Sequence, residues 1–205
     1  MIIWTIQHHS AYEHLLRNGI LRANEDRLFC EDDFRHAYDW MGQQMLSAGL
    51  MPPEGVHYPV WAWYQWEGIR KRRDMREGGH AKRGERIVQL TVEIEDKDIL
   101  LSDFDLFHYV INDWYLPVNE KDDLAFEAKH ESLGYSFRDL QDHDIQTEEM
   151  NQLRDEIRAS WNRALLLDIE DDGWLYGRNE KKSIQATFWE LRLDQVKKAE
   201  VFIAK

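Results

Sequence analysis

An aromatic strand limits what this chain can fold into more than any other segment. The run YPVWAWYQW (58–66) has the β-branched and aromatic residues that are typical of strands. Successive strand residues point to opposite faces. One face carries Trp61, Trp63 and Gln65, and the other carries Val60, Ala62, Tyr64 and Trp66. Because both faces are apolar, the sequence predicts a central strand that is covered on both sides, with the alternative that one face offers stacking surface to a planar ring.

A basic loop follows this strand at once. Residues 70–86 hold eight Lys or Arg against three acids, whereas the whole chain has a net charge of −13. An acidic chain repels duplex DNA and anionic membranes, so we expect neither as a partner. A compact anion such as a nucleotide is compatible with the loop, since Arg70, Arg73 and Arg76 suit its phosphates and the neighbouring rings suit its base. The alternative is a solvated, glycine-containing surface loop.

Length and composition set the remaining bounds. The 205 residues predict a single domain (1–205), and no run of 18 apolar residues or secretory leader occurs, so we expect a cytoplasmic protein. Cys30 is the only cysteine, which excludes an internal disulfide. Asp105, His108 and Asn112 share a helix face, but no established metal motif accompanies them, and we predict no metal site.

The order of predicted elements indicates an α+β fold. A strand (2–6) leads into a helix that ends at Gly19, and a second helix spans about 32–47. Strands are predicted at 86–94, with one solvent-facing side that includes Gln89, and at DILLS. The segment Ser102-Asp103-Phe104-Asp105 fits the N-cap of the next helix, with acid in its first turn. A charged excursion near 117–146, with one short helix, precedes a helix at 148–166. SIQATFWEL and KAEVFIA are predicted to be the closing strands.

Three segments resemble ADP-ribosyltransferases of the poly(ADP-ribose) polymerase type. IIWTIQHHSAYEHLLRNGILRAN is similar to that family's first strand and helix, YPVWAWY to its Gly-x-Tyr-Phe-Ala strand, and FWELRLDQVKKAEVFI to its glutamate-bearing strand. The whole chain also resembles a bacterial family with a domain of unknown function, through YPVWAWYQW, LLSDFDLFHYVIN and QATFWEL.

The first resemblance implies a fold and a chemistry. It implies a split antiparallel or mixed β-sheet surrounded by helices that clasps NAD as the cofactor, with Glu190 as the catalytic acid. Trp4 fits the first strand, and Thr5 stands where the family has its dinucleotide-binding histidine. Trp63 or Tyr64 would supply the ring that stacks on nicotinamide. The alternative for Glu190 is a surface acid on an edge strand.

Three functions are therefore open at this point. The chain is an NAD-dependent ADP-ribosyltransferase, a non-catalytic module that binds a nucleotide or an RNA end, or a protein-interaction domain whose tryptophans only fill the core. The sequence names no acceptor for a transferred group.

Overall fold

The chain folds as an α+β protein with one large and one small sheet. The structure, a computed structural model, describes residues 1–23, 34–171 and 173–205. Cys30, Asp172 and the predicted start of the second helix lie outside these residues. The described chain forms two compact units, 1–101 with 183–205 and 102–182. No helix in these ranges is both long enough and apolar enough to span a bilayer.

Unit 1 is built on a sheet of six antiparallel strands in the order β5-β6-β3-β1-β4-β8. The strands are β1 (Ile2–His8), β3 (Val60–Gln65), β4 (Arg86–Glu93), β5 (Leu100–Asp103), β6 (Ile184–Phe188) and β8 (Val196–Ile203). A second sheet pairs β2 (Ile20–Arg22) with β7 (Glu190–Arg192), and neither short strand was predicted separately. The helices of this unit are α1 (His9–Asn18) and α2 (Arg35–Ser47).

One face of the large sheet carries the hydrophobic core. Ile3, Ala62, Leu90 and Phe188 meet Leu15 of α1 there, and all five are buried. Gly19 ends α1 with φ +75°, a left-handed conformation that glycine adopts without steric cost. The predicted helix stop at this residue is confirmed.

The other face of the sheet is covered by the basic loop, and one prediction was wrong for that reason. Gln89 was expected to face solvent, but it is only 2% exposed. Its Nε2 donates to the Arg73 carbonyl at 3.0 Å, while Met75 packs with Ile87 over the same strand. Strand alternation correctly placed Gln89 opposite the core, but it could not show that a loop would return over it.

Unit 2 is helical in its described residues. Its helices are α3 (Phe104–Ile111), α4 (Glu120–Ser132), α5 (Phe137–Leu140) and α6 (Glu148–Ser160), and a 3₁₀ turn follows at Trp161–Leu165. The predicted cap within Ser102-Asp103-Phe104-Asp105 is confirmed, and Asp103 forms it, because its side chain accepts from the N–H groups of Asp105 and Leu106. The charged excursion contains α4 and α5 rather than one short helix.

Candidate functional site

Strands β1 and β3 are poorly paired at the centre of the sheet. β1 matches β4 at seven consecutive positions, but it matches β3 only through Trp4 and Trp63. We call the unpaired stretches on both sides of this contact the β1–β3 opening. The Arg70 end is the stretch where Arg70 lies between Ile2 and Tyr64, and the Thr5 end is the stretch where Thr5 faces Trp61. These two ends contain most of the residues that the sequence singled out.

Arg70 bridges the two strands at the Arg70 end. Its Nη2 donates to the Ile2 carbonyl at 2.7 Å, and its Nη1 donates to the Tyr64 carbonyl. The guanidinium carbon lies 3.6 Å from the centroid of the Tyr64 ring and 5.4 Å from that of Trp4. Burial lowers the pKa of Arg70, although the nearby Tyr64 opposes this shift. Arg70 thus supplies bonds that strand pairing would otherwise make.

Arg73 is held against the tryptophans next to this end. Its guanidinium carbon lies 3.1 Å from the Trp66 ring centroid and 5.3 Å from that of Trp63, and its Nη2 donates to Glu77 at 2.8 Å. Burial lowers the pKa of Arg73, while Glu77 opposes the shift. Trp66 was predicted on the face opposite Trp63, but their rings meet edge-on at 4.8 Å. The register shift between Trp63 and Gln65 breaks the alternation and explains this error.

Arg76 differs from the other two arginines. Its side chain is 83% exposed and forms an ion pair with Asp74, with Nη2 and Oδ2 2.5 Å apart. The hydrogen bonds from Arg76 lower the pKa of the Asp74 carboxyl. The binding roles of Arg70, Arg73 and Arg76 stay predictions, and Arg70 and Arg73 contact the protein's own rings in this structure.

Neutral polar groups bridge the Thr5 end. The Thr5 hydroxyl donates to the Trp61 carbonyl at 2.7 Å, and Gln7 Nε2 donates to the Thr5 oxygen at 2.7 Å. Thr5 is fully buried, so its hydroxyl serves the sheet. Gln7 is only half-buried, and its amide oxygen accepts no hydrogen bond from the described residues. Gln7 therefore offers the accessible polar atom at this end.

Glu190 begins β7 directly opposite Arg22 of β2. Its Oε2 accepts from Arg22 Nε at 3.1 Å and from Nη2 at 2.9 Å. Next to this pair, Leu21 faces Leu191, and both leucines are buried in the core. The Glu190 side chain remains 23% exposed. Its Oε1 has no hydrogen-bond partner within residues 1–23, 34–171 and 173–205.

The strand registers show which predicted residues come together. Phe188 of β6 pairs with Val60, and the next residue of β3, Trp61, bonds to Thr5. Glu190 follows Phe188 by two residues, so it lies toward the Thr5 end of the opening. Tyr64 lies four residues along β3 from Val60, roughly 13 Å at the usual rise per strand residue. Along β3, Thr5 and the segment that leads to Glu190 therefore lie toward Val60 and Trp61, while Tyr64 and Arg70 lie toward the other end.

Several residues of the Thr5 end were not selected from the sequence. The Tyr38 ring meets Trp61 edge-on at 5.6 Å and Tyr58 at 6.3 Å, and Arg35 donates to the Tyr58 hydroxyl at 3.2 Å. Trp61 was visible within the aromatic strand. No local signal links Arg22 to Glu190, because the two are 168 positions apart.

A surface depression in unit 2 is lined by charged side chains, and one of them, Asp171, holds a turn of the chain closed. The depression measures about 490 Å³ and is lined by Glu170, Asp171, Arg178 and Glu180. Burial raises the pKa of Asp171, but hydrogen bonds from four backbone N–H groups outweigh it and bring the pKa down to about 2. These bonds close a turn. Among the described residues, no three His, Cys, Asp or Glu side chains are grouped as a metal site would require.

Comparison with known proteins places the chain in a family without showing an activity. No curated protein and no solved structure matches it. A family model described as a domain of unknown function, DUF3841, matches residues 2–197. This match spans nearly the whole chain and agrees with the resemblance to a family of unknown function. The chain therefore belongs to the DUF3841 family.

Proposed function

We propose that this protein is an ADP-ribosyltransferase-like enzyme that binds NAD at the Thr5 end of the β1–β3 opening. The observation that carries the proposal is the location of Glu190 toward the Thr5 end of the opening. Its carboxylate is partly exposed, and no described residue donates a hydrogen bond to its Oε1. The interrupted pairing of β1 with β3 supports it, because the resemblance implies a split sheet that clasps the dinucleotide.

Glu190 has a defined task in this reaction. The bond between the ribose C1′ and the nicotinamide nitrogen breaks, nicotinamide leaves with the bonding electrons, and positive charge develops on the ribose. A carboxylate that accepts a hydrogen bond from a ribose hydroxyl stabilises that charge. The acceptor's nucleophilic atom then forms the new bond to C1′ and loses its proton. Glu190 Oε1 is suited to the hydroxyl, since Oε2 already accepts from Arg22.

The registers support a different ring from those first predicted. Tyr64 and Trp63 lie farther along β3 from Glu190 than Trp61 does. We therefore assign the stacking surface for nicotinamide to Trp61 with its neighbour Tyr38. Thr5, whose hydroxyl is bonded within the sheet, is not assigned the polar role first predicted for it.

Nicotinamide release from NAD by wild type and by Glu190→Gln tests the proposal. The substitution preserves shape and removes the charge, so the rate should fall by roughly a hundredfold or more. Glu200→Gln is the matched control, because Glu200 also pairs with an arginine, Arg72, and its side chain is 25% exposed. That variant should keep the wild-type rate.

Three results would contradict the proposal. Equal rates for wild type and Glu190→Gln would remove Glu190 from the mechanism. An equally large fall in the rate for Glu200→Gln would show that the rate depends on the overall charge of the protein and not on Glu190. Absence of release by wild type, with water or with protein acceptors present, would reject the transferase function.

The second candidate is nucleotide or RNA-end binding without catalysis. The observation that favours it is the contact of Arg70 and Arg73 with aromatic rings beside a positively charged loop. A ligand that binds only the folded protein raises its melting temperature. If ATP or short RNA raises it while NAD has no effect, this candidate replaces the first. If millimolar NAD, ADP-ribose, ATP and RNA all leave it unchanged, the protein-interaction function is favoured.

A further inference from the structure

We infer that Arg22 is a positioning residue for Glu190. This inference rests on the proposed function and adds a residue to it. Arg22 holds one carboxylate oxygen of Glu190 and thereby directs the other, Oε1, toward the ribose hydroxyl.

The backbone limits how far this pair can move. Arg22 and Glu190 face each other across β2 and β7, and the adjacent pair, Leu21 and Leu191, is buried in the core. Both side chains of the ion pair therefore start from strands that packing holds in place. A carboxylate on such a strand needs only its side-chain torsions restricted in order to point in one direction.

The hydrogen bonds restrict those torsions. Arg22 Nε and Nη2 both donate to Glu190 Oε2, at 3.1 and 2.9 Å, and no described residue donates to Oε1. Two donors of a rigid, planar guanidinium on one oxygen orient the carboxylate better than a single flexible ammonium would. Orientation of a catalytic group before the reaction lowers the entropic part of the barrier.

Direct electrostatic catalysis by Arg22 is a poorer explanation. The reaction develops positive charge on the ribose, and a nearby guanidinium would oppose it. The Arg22 side chain is also 43% exposed, so solvent screens much of its charge. The useful effect of Arg22 is therefore on the geometry of Glu190.

A double-mutant cycle separates this role from a structural one. Nicotinamide release and NAD binding are measured for wild type, Arg22→Ala, Glu190→Gln and the double variant. Arg22→Ala should lower the rate by roughly 10- to 100-fold, as misplacement of a catalytic group does. The same substitution should cause no further loss when Glu190 is already Gln, since the two residues act as one unit.

Two further measurements sharpen the cycle. Added methylguanidinium should restore part of the activity of Arg22→Ala and none of the double variant, and Arg22→Lys should recover less than half of the loss. Arg72→Ala is the matched control, because it breaks the ion pair of Arg72 with Glu200 and should leave the rate unchanged.

The outcomes distinguish this inference from the proposed function. Full activity in Arg22→Ala, or equal losses with and without Glu190, overturns the positioning role while the transferase stands. If wild type binds NAD without releasing nicotinamide, the dissociation constant for NAD is compared across the four proteins of the cycle instead of the rate. An Arg22→Ala substitution that weakens NAD binding equally with Glu190 and with Gln at position 190 then overturns the inference. If wild type neither binds nor cleaves NAD, both are rejected.

Discussion

The two ends of the β1–β3 opening compensate for the same missing strand pairs with different chemistry. At the Arg70 end, a cation bonds to the carbonyls of Ile2 and Tyr64 and lies on aromatic rings. At the Thr5 end, the Thr5 hydroxyl makes the bridge to the Trp61 carbonyl and accepts from the Gln7 amide of its own strand, without any charge. Both arrangements satisfy backbone groups that would otherwise lose a partner.

This difference matters for where a ligand binds. The polar groups at the Arg70 end are already bonded to the protein, and a ligand there must displace a guanidinium from its rings. Toward the Thr5 end, Gln7 and Glu190 each keep an oxygen that no described residue contacts. The cation at the Arg70 end therefore stabilises the fold, and our proposal assigns the ligand to the end near the open carboxylate.

Arg70→Ala should give the largest loss of stability. The variant loses two charge-assisted hydrogen bonds and two ring contacts, but Arg70 is solvent-exposed, so we expect a decrease of about 2 kcal/mol in the free energy of unfolding. Urea denaturation measures this change. Arg76→Ala is the control from the same loop, because Arg76 is highly exposed, and its unfolding midpoint should match wild type. Similar midpoints for both variants would show that Arg70 does not hold the two strands.

Thr5→Val should have a smaller effect on the opposite end. The variant keeps the shape of the side chain but leaves the Trp61 carbonyl and the Gln7 amide without their partner, at a cost of about 1–2 kcal/mol. Thermal unfolding followed by circular dichroism provides the measurement. Thr91→Val on the neighbouring strand β4 is the control, since its hydroxyl forms no hydrogen bond with any residue that the structure describes, and Thr5→Ser should keep most of the stability. Equal melting temperatures for Thr5→Val and Thr91→Val would show that the hydrogen bond from Thr5 to the Trp61 carbonyl does not stabilise the fold.

Glu190→Gln should have the smallest effect on stability. Its ion pair with Arg22 is partly exposed, and such pairs contribute about 1 kcal/mol or less. The free energy of unfolding, measured in urea at low and high salt, should therefore fall by no more than this amount. A loss above about 2 kcal/mol would assign Glu190 to the fold and weaken its catalytic role. Measuring Arg70→Ala in the same experiment compares the stability lost with the Arg70 charge to the stability lost with the Glu190 charge.

Much of the secondary structure could be predicted because it depends on neighbouring residues. Gly19 ends α1, Asp103 caps α3, and the β-branched and aromatic run YPVWAWYQW forms β3. Each signal acts within a few positions of the chain. The predicted covering of the aromatic strand on both sides is also consistent with the core on one face and with the contacts of Arg73 with Trp63 and of Tyr38 with Trp61 on the other.

The relative positions of the candidate site residues could not be predicted from neighbouring residues in the sequence. The sequence marked Thr5, Tyr64 and Glu190 as one site, but the registers place Tyr64 toward the other end of the opening from Glu190. A register shift by a single residue moved Trp66 to the side of Trp63. Such offsets arise from packing between strands, and no local pattern reports them.

The sequence by itself determined where most of the helices and strands form, the concentration of positive charge after the aromatic strand, and the family. Only the tertiary structure decided that this charge returns onto the rings, that Gln89 is buried beneath the loop, and that Arg22 pairs with Glu190. The physical reason is distance along the chain. Local propensities act over a few residues, whereas Arg22 and Glu190 meet across 168 positions because two buried leucines, Leu21 and Leu191, bring their strands together.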